Sequence, residues 1–434
     1  MENAISKEVM DEYYARIKKY RWGSFLTILL NNLIVTICIH APAPMLTHIV
    51  EETGWTLGQA GMMSSGIVFL AYGIIMLIGG RVQDFIGHKN TSLISAALLT
   101  IGSLLAIFAG ENYVLHLVGR AIVGAGCGLG ELCTAPTTAA YFSGHNESFW
   151  QGVRLVVVML GHGLGYYIIL PLLGMTGSWQ TVLGLISVLT FLSFVLMAIF
   201  YRNAPNNPAQ PAEAEVKTTF RNSGLGRALR SGQTWIYVIG FTATLWMFNT
   251  YSTYLPTFLE YERNWSASSA SMLTGLISWM GIIASIVGGW LMAKFGRNQI
   301  FGWPIFVACI IGIVLTCVPD NGILIALGVI ICGFGNSLYN PVYATSLNQL
   351  PWSNKSYYTA SISMIFGLGY LFTYFVPNIF EAMYQNGEGM SIATIWLIFA
   401  LVLVIGLISQ FFAIETGPKG NRNSRRMEEG KKYT

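Results

Sequence analysis

Gly80-Arg81-Val82-Gln83-Asp84-Phe85-Ile86-Gly87-His88-Lys89 returns 209 positions later as Gly289-Trp290-Leu291-Met292-Ala293-Lys294-Phe295-Gly296-Arg297-Asn298. Upstream, Trp55-Thr56 recurs as Trp265-Ser266, 210 positions on. Downstream, Gly128-Leu129-Gly130-Glu131 with Pro136 recurs as Gly333-Phe334-Gly335-Asn336 with Pro341, shifted by 205. Gly163-Leu164-Gly165-Tyr166 recurs as Gly367-Leu368-Gly369-Tyr370, shifted by 204. Matches in one order and nearly one register describe a chain built from two similar halves.

The halves are apolar. Of 434 residues, 53% are hydrophobic and only 10% charged, against roughly 25% charged in an ordinary soluble domain. Stretches near the ~20 residues that cross a bilayer recur twelve times. In the first half they lie at about 23–46, 58–80, 90–109, 114–140, 152–173 and 179–201; in the second, at about 234–258, 268–293, 299–318, 322–347, 356–380 and 391–414. Lipid offers the backbone no hydrogen-bond partners, so spans of this length and continuity are expected as helices. The expected fold is all-α and integral to a membrane, with twelve transmembrane helices in two six-helix bundles, 23–201 and 234–414. A tail over 1–22, a polar loop over 202–233 and a second tail over 415–434 complete the chain.

Lys and Arg orient it. With the first residues in the cytoplasm, Lys7, Arg16, Lys18, Lys19 and Arg21 precede the first span, and Arg202, Lys217, Arg221, Arg227 and Arg230 lie in the central loop. The outer loops hold one basic residue, Arg263, among Glu51, Glu52, Glu111, Glu260, Glu262 and Asp320. The positive-inside rule then puts both ends in the cytoplasm of a plasma membrane, a bacterial inner membrane by expectation. The net charge of +4 follows from this distribution and gives no reason to expect nucleic acid. The charged, amphipathic first twenty or so residues are unlike a cleavable signal peptide; they read as a surface-lying segment or a disordered tail.

All six cysteines fall inside predicted spans and read as small buried hydrophobes, with no metal or disulfide spacing. No phosphate-binding glycine loop occurs, and the polar residues form no catalytic constellation. No cofactor and no enzyme activity are expected. Two like halves around a central site is a plan used by secondary transporters, and without nucleotide hydrolysis uphill movement must draw on a gradient.

Gly80-x-x-x-Asp84-x-x-Gly87-His88-Lys89, between spans two and three, resembles the signature loop of the major facilitator superfamily, and its copy with Gly289, Gly296 and Arg297 lies between spans eight and nine, as that family's does. Arg120-x-x-x-Gly124-x-Gly126 in span four is similar to the family's second signature. The resemblance implies alternating access, the halves rocking about a mid-membrane site, with the loops as gate elements. Phe85 and His88 stand where arginines are common in the family, and Ala293 stands at the acidic position of the copy. In physical terms Asp84 is an anion near helix ends, Gly87 permits a tight turn, and Gly80 permits close helix contact.

Ionisable residues within the membrane are costly and carry the mechanism. Arg120 and Glu131 share span four; eleven residues leave them within roughly 20° of one face but about 16 Å apart along the axis. Gly124, Cys127, Gly128 and Thr134 lie near that face, and the small stripe reads as cavity wall. Glu131 is the candidate proton site, since a carboxyl drawn out of water is a group that can take up and release a proton; the other reading is a structural carboxyl. Arg120 stays charged and either attracts an anionic substrate or pairs structurally. His40, before Pro42 and Pro44, and His162, in span five, are candidate relay or substrate contacts. Arg154 reads as a snorkelling anchor. In the second half Asn336, at the repeat position of Glu131, and Asn340 lie one turn apart; Trp246 in span seven and Tyr370 in span eleven are the aromatic candidates.

A charged half and an amide-aromatic half suit a small solute with one ionised group and an apolar portion. The expectation is a secondary transporter that imports a small organic anion, of carboxylate type, with a proton or other coupling ion, and works as a monomer. The alternative is an exchanger or efflux antiporter of the same fold. Drug-proton antiporters of the superfamily carry a Gly-Pro step in span five; here Gly161-His162-Gly163-Leu164-Gly165 is followed by Tyr166. A non-transporting receptor would be expected to enlarge a soluble domain or lose the gate loop.

Overall fold

The computed structural model describes residues 7–142, 147–205 and 223–417. Every regular element among them is helical. The chain divides into two compact units, Met1–Lys217 and Thr218–Thr434.

The first unit contains α1 (Lys7–Ile17), α2 (Arg21–His40), α3 (Leu46–Thr53), α4 (Leu57–Gly61), α5 (Ile67–Ile86), α6 (His88–Ala109), α7 (Tyr113–Phe142), α8 (Glu147–Thr176) and α9 (Trp179–Phe200). The second contains α10 (Gly224–Arg230), α11 (Gly232–Tyr261), α12 (Ala267–Phe295), α13 (Gly302–Cys317), α14 (Gly322–Asn348), α15 (Lys355–Thr373), α16 (Val376–Tyr384) and α17 (Ile392–Gln410). Among the described residues eleven helical segments are long and apolar enough to cross a bilayer. The remaining predicted span is α11, 30 residues long. It is diluted by Thr244, Asn249, Thr250, Ser252 and Thr253, all buried.

The first span is longer than expected and broken. It runs over Arg21–Thr53, and Pro42 and Pro44 divide it into α2, a short 3-10 turn at Ala43–Met45, and α3. Proline has no N–H to donate, so Pro42 leaves the carbonyl of Cys38 without its helical partner, and Pro44 that of His40. The second span also departs from a regular helix: between α4 and α5, Met62–Gly66 forms a π turn in which the Ile67 N–H reaches back to Met62 O. Thr56 caps α4 with a full capping box to Gln59, and Ser266 caps α12 at the matching position, which explains why a hydroxyl follows tryptophan in both halves.

Glycines set the helix crossings, and these too repeat. A Cβ on Gly102 would lie 2.6 Å from Gly119 O, and one on Gly312 would lie 2.7 Å from Gly328 O. Likewise Gly124 meets Val68 O at 2.2 Å, and Gly333 meets the Ile277 Cα at 2.8 Å. Backbones this close require residues without side chains.

The leading stretch is ordered against the bundle. Tyr13 and Ile17 of α1 are buried with Phe25, Ile28, Tyr141 and Phe142, and the Tyr13 hydroxyl donates to Ala140 O at 2.7 Å. The disordered alternative therefore does not hold for residues 7–17. All six cysteines are free and buried.

Candidate functional site

Both signature loops are built on a glycine with positive φ. Gly87 closes α5 and opens α6 at φ 82°, ψ 159°, a region essentially reserved for glycine. Gly296 caps α12 at φ 62°. In the first loop the Lys89 N–H donates to Asn203 Oδ1 at 2.9 Å and its ammonium reaches Ala198 O at 3.4 Å. Gln83, which sequence reasoning did not single out, is buried beneath the loop, 2.7 Å from His88 Nδ1 and donating to Leu132 O at 3.3 Å. The Asp84 side chain lies outside the described residues. Gly80 does not make the close contact expected of it: a Cβ there would meet nothing within 4 Å, whereas one on Gly79 would lie 2.4 Å from Leu132 Cδ1. The second half repeats the correction, with Gly289 open and Gly288 tight against Leu338 at 2.6 Å.

The second loop is tied to the chain after α17. Glu415 Oε1 accepts the Gln299 N–H at 3.0 Å, and Glu415 Oε2 lies 3.5 Å from Arg297 Nη2. Asn298 donates its N–H to Thr416 O at 3.1 Å and its amide to Gln349 Oε1 at 2.7 Å. A carboxylate thus reaches this loop from outside it.

Within the first unit, Arg120 takes structural partners. Its Nε donates to Met63 O at 3.0 Å, Nη1 to Cys38 O at 2.7 Å, and Nη2 to Ile39 O at 3.0 Å and Ser64 O at 2.5 Å. These carbonyls belong to the proline-broken end of α2 and to the π turn. A guanidinium, planar with several donors, joins two helix irregularities and satisfies polar groups that the hydrocarbon cannot.

The small stripe of α7 is not a cavity wall. Gly124 packs on Val68, and a Cβ on Gly128 would lie 2.7 Å from Ile75 Cγ2. The stripe is small because α5 fills it. Glu131, further along α7, pairs with Arg154 of α8: Arg154 Nη1 lies 2.9 Å from Glu131 Oε1, with the side chains 13% and 21% exposed respectively. Arg154 is oriented by Gln151, whose Oε1 accepts its Nε at 3.2 Å and whose amide donates to Ala135 O at 3.0 Å. The snorkelling role expected for Arg154 gives way to this ion pair.

His40 and His162, read as two separate histidines, face one another with ring centroids 4.0 Å apart at 82°. Tyr166 lies beside both. Asn32 was missed. It is 1% exposed and neither amide atom has a partner among the described residues, whereas Asn31 reaches Ser95 and Ser193. Two adjacent amides in an otherwise apolar span were the available signal.

The second unit separates its candidates. Asn336 lines a small cavity with Thr244, Tyr251, Cys309 and Cys332. Asn340 Oδ1 accepts the Tyr343 hydroxyl at 3.2 Å, and Tyr343 belongs to an aromatic cluster with Phe241, Phe366 and Tyr370. Trp246 packs edge-on to Phe399 at 5.7 Å. The packing also shifts the repeat. Gly124 and Gly333 hold matching places on Val68 and Ile277, and both pairs are 209 apart (333 − 124 and 277 − 68). At that register Glu131 corresponds to Asn340, and Asn336 to Cys127, one turn from the motif match.

The comparisons with known proteins agree with this architecture. A probable sulfoacetate transporter of Cupriavidus necator is 24% identical over 270 residues, covering 60% of this chain and 61% of that protein. A probable inositol transporter 3 of Arabidopsis thaliana is 22% identical over 315 residues, covering 62% and 53%. The matched region thus spans less than two thirds of either relative. Among solved structures, the proton:xylose symporter XylE superposes with a TM-score of 0.70 at 14% identity, over 91% of this chain and 96% of that one, which speaks for the fold. The profile of the Major Facilitator Superfamily matches residues 25–374. Over most of its length, then, this multi-pass membrane protein carries that family's pattern, and it belongs to the major facilitator superfamily.

Proposed function

We propose that this secondary transporter imports a small organic anion together with a proton, by alternating access, with both termini in the cytoplasm. The observation that carries the reading is the Arg154–Glu131 pair, 2.9 Å apart and partly accessible within the spanning segments. Arg120 has its donors committed to carbonyls, so Arg154 is the cation that an incoming carboxylate or sulfonate would use. While Glu131 is ionised it holds Arg154. Protonation of Glu131 removes that partner and frees the guanidinium for the anion. Each ligand then favours the other, and by linkage the coupling is reciprocal. The loaded site carries no more charge than the empty one, which suits movement through a low-dielectric interior. A relative described as a probable sulfoacetate transporter supports an anionic substrate. His40 and His162 are proposed as a second polar patch of the first unit, and Asn340, Trp246 and Tyr370 as substrate contacts within the second unit.

The likeness to a probable inositol transporter favours a second reading, a neutral polyol. One experiment separates them. Purified protein in proteoliposomes is given an inward proton gradient and offered labelled carboxylates, sulfonates and polyols in parallel. Gradient-dependent uptake of an anion supports the first reading. Uptake confined to polyols sinks it.

A further inference from the structure

Pro136 lies inside α7, and with no N–H of its own it leaves the Leu132 carbonyl, four residues earlier, without its helical donor. Leu132 follows Glu131 directly, so this freed carbonyl belongs to the turn that carries the proposed proton site. The donor that meets it comes from the helix leading into the first signature loop. Gln83 of α5, 7% exposed, places its amide nitrogen 3.3 Å from Leu132 O, 2.7 Å from His88 Nδ1 and 3.4 Å from Cys133 Sγ. A carbonyl only accepts, which fixes the facing atom as the amide nitrogen, and an amide nitrogen only donates. Its two hydrogens therefore serve two elements, α7 at Leu132 and the first residue of α6 at His88.

A second glutamine holds the same stretch from α8. Gln151 donates to Ala135 O at 3.0 Å and accepts from Arg154 Nε at 3.2 Å, and Arg154 meets Glu131 at 2.9 Å. The signature loop is thus joined to the ion pair through one turn of α7. The second unit builds its copy of the loop without this amide. Met292 stands 209 positions after Gln83, a side chain of similar length with no N–H, ahead of the glycine cap at Gly296. The turn itself does not require the glutamine; the half that carries the carboxyl has it.

We propose that Gln83 is a positioning residue for Glu131: it ties the signature loop to the α7 turn, so that the arrangement of the loop governs how Glu131 meets Arg154. This rests on the reading of Glu131 as the proton site. A buried amide hydrogen without an acceptor is costly, so Gln83 follows His88 when the loop moves, and its hold on Leu132 O changes with it.

The test reads the carboxyl itself, which is 21% exposed and open to a reagent. A carbodiimide adds to a protonated carboxyl and spares a carboxylate held by a guanidinium. The rate at which dicyclohexylcarbodiimide marks Glu131 in the purified full chain at one pH, followed by peptide mass spectrometry, therefore reports how far Arg154 holds it. Gln83→Met is expected to raise that rate about threefold or more and to lower the melting midpoint by about 2 °C or more. Pro136→Ala gives the Leu132 carbonyl a donor within the helix. In that background Gln83→Met is expected to leave the midpoint within about 1 °C and still to raise the rate about threefold. An unchanged rate in Gln83→Met would overturn the proposal. So would a rate that returns to normal in the double variant along with the midpoint, since the amide would then only stabilise α7. Should Gln83→Met not fold, the double variant set beside Pro136→Ala carries the comparison. His88→Leu, which cuts the tie at the loop and leaves Leu132 O its donor, is expected to raise the rate likewise; marking at the unaltered rate would refute the link to the loop. Neither readout involves transport, so a failure here is distinct from a Glu131→Gln that keeps gradient-driven uptake, which would sink the importer reading.

Discussion

Arg154 and Glu131, twenty-three residues apart on adjacent long helices, form an ion pair at 2.9 Å. Their side chains are neither sealed in the interior nor bathed in solvent, and Gln151 aims the guanidinium. A pair of this kind can be opened by a proton, because protonating the carboxylate removes most of the attraction while leaving the arginine charged.

Glu131→Gln is therefore expected to abolish accumulation driven by a pH gradient while sparing counterflow exchange of labelled for unlabelled substrate. The amide mimics the protonated carboxyl permanently, so the cation is always free and the proton no longer has a site. Proteoliposome uptake with and without an imposed gradient measures both activities. If Glu131→Gln still concentrates substrate under the gradient, the proton binds elsewhere.

The two intramembrane arginines should respond in opposite ways. Arg154→Gln is expected to weaken anion binding by about 10-fold or more, since a charge-assisted hydrogen bond contributes about 1.5–3 kcal/mol, with Arg154→Lys retaining part of the affinity. Arg120→Gln is expected to lower stability first. It strands carbonyls of Cys38, Ile39, Met63 and Ser64, and each buried polar group left unpaired costs about 1–3 kcal/mol. Binding titrations alongside melting curves distinguish the two. A stable Arg120→Gln with lost affinity, beside an Arg154→Gln with normal affinity, would return the anion site to Arg120.

How much of this was legible in the sequence depends on whether one helix or two decide the matter. Span positions follow from continuous hydropathy, and Gly87 follows from the turn it must make; both are local. The break at Pro42 was visible as residues, but its consequence, carbonyls offered to Arg120 from 81 and 82 positions away, was not. Small residues on α7 carry two meanings, an open wall or a close neighbour, and only Val68 and Ile75 of α5 choose between them. The Arg154–Glu131 pair joins positions on two helices, so neither residue's own surroundings announce it. The same limit placed Asn336 opposite Glu131: motif letters matched at a shift of 205, while the packed glycines match at 209, one turn away and on nearly the same face.

Glycine substitutions test that packing. Gly124→Ala places a methyl 2.2 Å from Val68 O, a clash with backbone that cannot rotate away, and is expected to cost about 1–3 kcal/mol. Gly80→Ala meets nothing within 4 Å and replaces a poor helix former with the best one, so it is expected to be neutral or slightly stabilising. Melting midpoints of the two variants, measured side by side, give the comparison. A harmless Gly124→Ala would restore the open-wall reading of α7.

The second signature loop lacks an acid at Ala293, and Glu415 supplies a carboxylate from beyond α17 instead, accepting the Gln299 N–H at 3.0 Å beside Arg297. That carboxylate sits at the first residue of the 3-10 turn Gln299–Phe301 that leads into α13, where an anion is favoured by exposed N–H groups. Glu415→Gln keeps the shape and removes the charge, so it is expected to cost about 0.5–1 kcal/mol locally. It is expected to slow turnover while leaving substrate affinity within about threefold, since a shifted population changes apparent affinity only through the competent fraction. Adding an acid at Ala293→Asp should change turnover less than Glu415→Gln does, because the loop already has its carboxylate. Transport rates and binding constants of the two variants settle the matter: an inert Glu415→Gln beside a strongly altered Ala293→Asp would show that the loop depends on charge within its own turn and not on the chain that follows α17.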